Sequence, residues 1–152
     1  MQVKVGDRAP EFALRNQTGQ LVSLKEFAGK QNVVLYFYPK DFTLGCTAET
    51  RSFSTNYDEF QKMGAVVLGV SSDSVESHRD FGSECSVSFP LLSDERGQIR
   101  RLYGVGATLG LLPSRVTFII DKQGLIRHIF SSQLNPKKHI KDAIEALRQI
   151  SN

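Results

Sequence analysis

The stretch Val33-Val34-Leu35-Tyr36-Phe37-Tyr38-Pro39-Lys40-Asp41-Phe42-Thr43-Leu44-Gly45-Cys46-Thr47-Ala48-Glu49 decides how this chain is read. Its first six residues form an unbroken apolar run closed by a proline. A half-exposed strand would alternate apolar and polar residues, so this run reads as a strand covered on both faces. Beyond it Phe53, Tyr57 and Phe60 recur at helical spacing and Gly64 supplies a stop, which predicts a helix from about Cys46 to Met63. A cysteine therefore falls where a buried strand passes into the first turn of a helix. In an open α/β sheet, functional groups gather there, outside the carboxyl ends of the strands.

The same signals extend in both directions. Downstream, Ala65 to Val70 is a second buried strand, and Asp73 with Glu76 forms a capping-box-like start for a helix running to about Cys85. Leu91-Leu92 reads as a short strand before a turn at Asp94 to Gly97, with a short helix from Ile99 to Tyr103. Val116 to Asp121 and Leu125 to Phe130 flank Lys122-Gln123-Gly124 as a hairpin. Asn135-Pro136 supplies a cap and a first-turn proline for a last helix, whose apolar face is Ile140, Ala143, Ile144, Leu147 and Ile150. Upstream, Phe12 to Leu14 and Leu21 to Leu24 flank Asn16 to Gly19 as an N-terminal hairpin extension. The alternation predicts a central mixed sheet with helices on both faces, parallel in its first half and antiparallel in its second. That is a thioredoxin-like α/β arrangement, expected as a single domain over residues 1–152.

Composition narrows the function classes. The net charge is +3, and Lys and Arg are scattered among acids with only Arg100-Arg101 and Lys137-Lys138 adjacent, so a nucleic-acid partner is not expected. No run of 18 apolar residues exists, and no membrane partner is expected. The start, Met1 to Asp7, lacks an apolar signal region and reads as mature protein; a cytoplasmic setting is expected, with a removed organelle transit peptide as the alternative. Two cysteines in 152 residues are not a disulfide framework, which points to a reducing compartment.

A cysteine in such a compartment is either a small core residue or a reactive one. Cys46 follows a glycine, lies between threonines and sits outside any apolar stripe. At a helix N-terminus, free N–H groups and the positive end of the dipole favour a thiolate. The same donors can hold an anionic oxygen as an O–O bond breaks. Thr43, three residues earlier, is close enough to bring a hydroxyl beside the sulfur, and Pro39 can rigidify the loop and shield it from water. On these grounds alone, core and catalytic readings of Cys46 remain in balance.

The pattern Pro39-x-x-x-Thr43-x-x-Cys46 resembles the reactive loop of the peroxiredoxins. The wider string Tyr36 to Thr47 is similar to the bacterioferritin-comigratory-protein or PrxQ class. The likeness continues through Gly6-Asp7-x-Ala9-Pro10-x-Phe12, Gly69 to His78, Phe89 to Asp94, Tyr103-Gly104-Val105 and Arg115 to Asp121. It implies a thiol peroxidase that reduces hydrogen peroxide and organic hydroperoxides without a cofactor. Cys46 would be the peroxidatic cysteine, Thr43 a hydrogen-bond partner of the peroxide, Pro39 the shield and Arg115 a strand arginine near the thiolate. Thioredoxin or a glutaredoxin-type donor would recycle the enzyme, as a monomer or weak homodimer.

The likeness breaks at one place. Many members of that class carry a resolving cysteine five residues after the peroxidatic one, and here that position is Arg51. Cys85 is the candidate resolving cysteine; a buried structural thiol and a one-cysteine cycle are the alternatives. His78 is read as a partly exposed helix residue. No His, Asp or Glu set has metal-ligand spacing along the chain, and no metal is expected. The apolar residues Leu109, Leu111 and Leu112 are read as lining a peroxide pocket or a dimer contact. Two rival readings are a redox sensor without turnover and a non-catalytic thioredoxin-fold binding protein.

Overall fold

The strand Asn32–Phe37 (β3) is buried at all of its positions, as an uninterrupted apolar run requires. It lies inside the sheet, between the parallel strand Ala65–Ser71 (β4) and an antiparallel strand, Val116–Ile120. The computed structural model describes residues 3–105, 107–108, 112–113, 115–131 and 136–150. The side chains of residues 44–46 are not among what is described.

In chain order the elements are β1 (Ala13–Arg15), β2 (Leu21–Ser23), a 3₁₀ turn (Leu24–Phe27), β3, α1 (Leu44–Thr55), α2 (Tyr57–Lys62) and β4. They continue with α3 (Val75–Glu84), β5 (Leu91–Ser93), α4 (Gln98–Leu102), β6 (Ala107–Thr108), β7 (Leu112–Pro113), β8 (Val116–Ile120), β9 (Ile126–Ser131) and α5 (Pro136–Ile150). Among the described residues they build a seven-stranded mixed sheet ordered β2-β1-β5-β4-β3-β8-β9. β3, β4 and β5 run parallel, and β8 and β9 antiparallel, as the alternation of elements implied.

Side-chain alternation splits the core into two layers. Val34, Tyr36, Tyr38, Val67 and Ile119 meet Phe53, Phe60 and Phe81, together with Ile140, Ala143 and Leu147 of α5. Val33, Leu35, Phe37, Leu68, Val70 and Phe118 form the opposite layer. Ile99 of α4 and Tyr103 pack there, but much of the cover comes from Ala9, Phe12, Val22 and Leu24. The N-terminal hairpin and coil thus do the work of a helix on that side. Between β3 and β4 the Tyr36 ring lies directly over Gly69, where a Cβ would stand 2.7 Å from Tyr36 Cζ and Oη. Only glycine permits this approach.

Several boundaries differ from expectation. The helix expected over Cys46 to Met63 begins earlier, at Leu44, and breaks at Asn56 into α1 and α2. At the break Asn56 departs from helical dihedrals (φ −100°, ψ 8°), and its Nδ2 donates to the Ser52 carbonyl at 2.7 Å alongside its own N–H at 3.2 Å. Gly64, with φ +74, ends α2 as expected. The cap of α3 is Ser74, not Asp73; Ser74 Oγ accepts from Ser77 N–H at 3.1 Å. Asp73 is instead drawn toward the loop before α1. Asn135, expected as the cap of α5, lies outside the described residues. So do Leu109 and Leu111 and the side chain of Leu112, and with them the pocket or dimer role assigned to that stretch.

Candidate active site

Helix α1 starts directly from the loop that leaves β3. Thr43 is its N-cap in extended conformation (φ −80°, ψ 154°), and Thr47 N–H closes the first turn on the Thr43 carbonyl at 2.9 Å. The backbone of Cys46 is therefore the third residue of the helix, within the turn whose N–H groups have no intrahelical acceptor. The Cys46 side chain, on which the expected thiolate chemistry falls, lies outside the described residues. Thr43 is exposed and does not cap the helix through its side chain; its Oγ1 donates to the Lys40 carbonyl at 2.9 Å, which tightens the turn before the cysteine. Pro39 is half-buried at the end of β3.

Arg115 is not a solvated strand end. It is buried, and its Nη1 donates to Glu49 Oε1 at 2.5 Å. Glu49 is fully buried on α1, three residues and so nearly one turn beyond Cys46. Burial pushes the Glu49 carboxyl up to about 7, against the opposing pull of the Arg115 guanidinium. On its other side His139 Nδ1 stands 3.7 Å from Glu49 Oε2 and shares a 2.7 Å hydrogen bond with Thr117 Oγ1. Strand β8, helix α1 and helix α5 are thus joined through polar groups behind the first turn of α1. Sequence reasoning missed Glu49 and His139. For Glu49 a signal was present, since an acid three residues after a helix-leading cysteine lies near the same face of the helix.

Arg51 and Cys85, separated by 34 positions in sequence, are neighbours. The Arg51 guanidinium acts electrostatically on the Cys85 thiol, which is free and buried in the core layer that also holds Phe53 of α1 and Phe81 of α3. Burial raises the Cys85 pKa, and the Arg51 contact works against that rise. Cys85 caps the C-terminal end of α3.

His78 is the clearest correction. Expected partly exposed, it is fully buried and bonded at both ring nitrogens. Nδ1 lies 2.7 Å from Asp41 Oδ2, and Nε2 lies 2.9 Å from the Leu92 carbonyl oxygen. The spacing His78, Phe81, Gly82, Cys85 marks one helix face, and that pattern could have disclosed the burial. The fold also gathers a group that chain spacing does not reveal. Ligand-type atoms of Asp41, Asp73 and His78 all lie within 4.8 Å of one another. Those atoms are engaged within the protein: Asp73 Oδ2 accepts from Asp41 N–H at 2.9 Å and from Ser71 Oγ at 2.5 Å.

Comparison with known proteins decides the family, for residues 5–129 match the AhpC/TSA family. This chain belongs to the AhpC/TSA family. Peroxiredoxin Q, chloroplastic, of Oryza sativa subsp. japonica is 43% identical over 150 residues, covering 98% of this chain and 69% of that protein. The crystal structure of peroxidoxin BcpB from Mycobacterium tuberculosis superposes with a TM-score of 0.91 at 34% identity, over 98% of this chain and 99% of the other. The bacterioferritin comigratory protein of Xanthomonas campestris, described for its alkyl peroxide reduction activity, gives 0.85 at 32% identity, over 93% and 92%. Membership in the AhpC/TSA family brings the thioredoxin-like peroxiredoxin fold seen here and a thiol peroxidase activity that reduces hydroperoxides at the expense of a thiol. Among the described residues no helix is long and apolar enough to cross a membrane.

Proposed function

We propose that Cys46 is the peroxidatic residue of this peroxidase. Its thiolate attacks one oxygen of a hydroperoxide, the O–O bond breaks, and water or an alcohol leaves after taking up a proton. Cys46 is left as a sulfenic acid. The first-turn N–H groups of α1 favour the thiolate and receive the developing charge on oxygen. Arg115 adds a permanent positive charge, and Glu49 holds its guanidinium against α1. Thr43 Oγ1, whose proton goes to the Lys40 carbonyl, accepts from the peroxide O–H, and Pro39 keeps water from the sulfur. The observation that carries this reading is the buried Glu49–Arg115 pair, which fastens an arginine to the residue nearly one helical turn beyond Cys46.

Cys85 is the thiol we assign to resolution. It lies against Arg51, five residues along the same helix from Cys46, an axial distance of about 7.5 Å. Its sulfur displaces hydroxide from the sulfenic acid, released as water, and a Cys46–Cys85 disulfide forms once the first turn of α1 and the last turn of α3 open. Thioredoxin or a glutaredoxin-type dithiol then returns both cysteines to thiols by exchange. Hydrogen peroxide and organic hydroperoxides are the substrates, and the working unit is a monomer or weak homodimer. Residues 1–152 act as one domain. The compartment is one that keeps thiols reduced, the cytoplasm or an organelle, in line with the chloroplastic relatives.

The test is peroxide consumption coupled to a thioredoxin system, for wild type, Cys46→Ser and Cys85→Ser. Loss of turnover in Cys46→Ser with formation of a sulfenate in Cys85→Ser is the expected result. Equal turnover in wild type and Cys46→Ser overturns the assignment.

A further inference from the structure

The loop from β3 to α1 is held by a buried polar network that the peroxidase chemistry does not call for. Asp41 is its centre. Its Oδ1 accepts from Tyr38 Oη at 2.5 Å, and its Oδ2 accepts from Ser77 Oγ at 2.9 Å and faces His78 Nδ1 at 2.7 Å. Its own N–H donates to Asp73 Oδ2. Tyr38, Asp41 and His78 are all buried, so each polar atom is committed to a partner rather than to water. His78 also donates from Nε2 to the Leu92 carbonyl, because a carbonyl only accepts. One imidazole therefore ties the loop before α1 to α3, on which it sits, and to β5.

The next residue shows what this tie opposes. Phe42 has φ +66, a left-handed conformation that a bulky L-residue adopts only when its surroundings impose it. Its side chain is half exposed, and its ring rests edge-on against Phe81 of α3 at 5.2 Å. Thr43, the N-cap of α1, follows at once. A strained residue is thus clamped between a buried bolt on one side and the start of the reactive helix on the other.

We propose that His78 is a positioning residue for the peroxidase reaction. Through Nδ1 it fixes Asp41, Asp41 fixes the Phe42–Thr43 turn, and that turn sets where the first residues of α1 stand. The role rests on the assignment of Cys46 above. Loss of the Nδ1 contact lets the turn relax, and Cys46 leaves the place where the helix N-terminus and Arg115 converge. The chemistry of the thiol is untouched; its placement is lost.

Two substitutions separate this role from simple packing. His78→Asn keeps an amide where Nδ1 stands, facing Asp41. His78→Gln keeps one where Nε2 stands, facing the Leu92 carbonyl. We compare both with Asp41→Asn, Asp41→Asn/His78→Gln and Cys46→Ser, measuring kcat/KM for hydrogen peroxide and, in a Cys85→Ser background, the pH midpoint of Cys46 alkylation. His78→Gln is expected to lose up to about a hundredfold in kcat/KM, the scale on which a misplacement of about 1 Å acts, and to raise the alkylation midpoint. His78→Asn should retain most activity, and the double variant should be no worse than Asp41→Asn alone. Equal activity in both His78 variants, or better activity in His78→Gln, overturns the proposal. Should His78→Gln not fold, Asp41→Asn with wild-type kcat/KM and midpoint overturns it too. Full activity in Cys46→Ser would sink the assignment beneath it, which the His78 pair alone does not reach.

Discussion

Glu49 and Arg115, 66 positions apart in sequence, meet in a buried 2.5 Å ion pair that fastens the start of β8 to the reactive end of α1. The fold makes them a unit, and their energetics are open to measurement.

The Glu49 carboxyl titrates at about 7 in the folded protein, above its ordinary 4.5, because burial penalises the charged form. The folded state therefore binds more protons than the unfolded state between these values. Stability from this group is fully present below pH 4.5 and is lost as pH rises through 7. The loss is on the order of 3 kcal/mol at one pKa unit per about 1.4 kcal/mol. Urea unfolding at pH 5 and pH 8 should show this drop in the wild type, and Glu49→Gln should lack that share of it.

Removing the arginine leaves a buried carboxyl without its counter-charge. Arg115→Met is expected to cost about 3–5 kcal/mol in chemical denaturation. It should also lower kcat/KM by roughly 10²–10³, the scale of a lost electrostatic stabiliser. Arg115→Lys keeps the charge but loses the forked donor, so it should recover much of the stability and little of the activity.

Gly69→Ala tests the packing of the sheet independently of the chemistry. The new methyl would stand 2.7 Å from two Tyr36 atoms on the neighbouring strand, and Tyr36 is fully buried with nowhere to move. A loss of about 1–3 kcal/mol is expected from overpacking, read as a lower urea midpoint with an unchanged slope.

Much of this architecture could be read from the chain, and the reasons are physical. Apolar runs at Val33–Tyr38 and Ala65–Val70 announced strands buried on both faces, and the helical spacing of Phe53, Tyr57 and Phe60 announced α1 and α2. The break at Asn56 escaped because it is a change in one residue's backbone dihedrals, and the apolar spacing of Phe53, Tyr57 and Phe60 runs on through it. Cap choice at Ser74 depended on Asp73 being drawn 32 positions away to the Asp41 amide. His78 was misjudged for a related reason: a histidine is easily read as a surface residue until Asp41 and Leu92 supply the partners that permit its burial. Arg115 could be singled out by family likeness, but its partner Glu49 belonged to a long-range pairing that a linear pattern does not carry.

Everything returns to one sulfur at the mouth of α1. The direct measurement is the rate of Cys46 alkylation by iodoacetamide against pH, made in Cys85→Ser so that a single thiol reports. A midpoint below 7 in this variant, moving upward in Arg115→Met, is what a helix-held thiolate beside a guanidinium predicts. A midpoint near the free-thiol value of about 8.5, indifferent to Arg115, contradicts it.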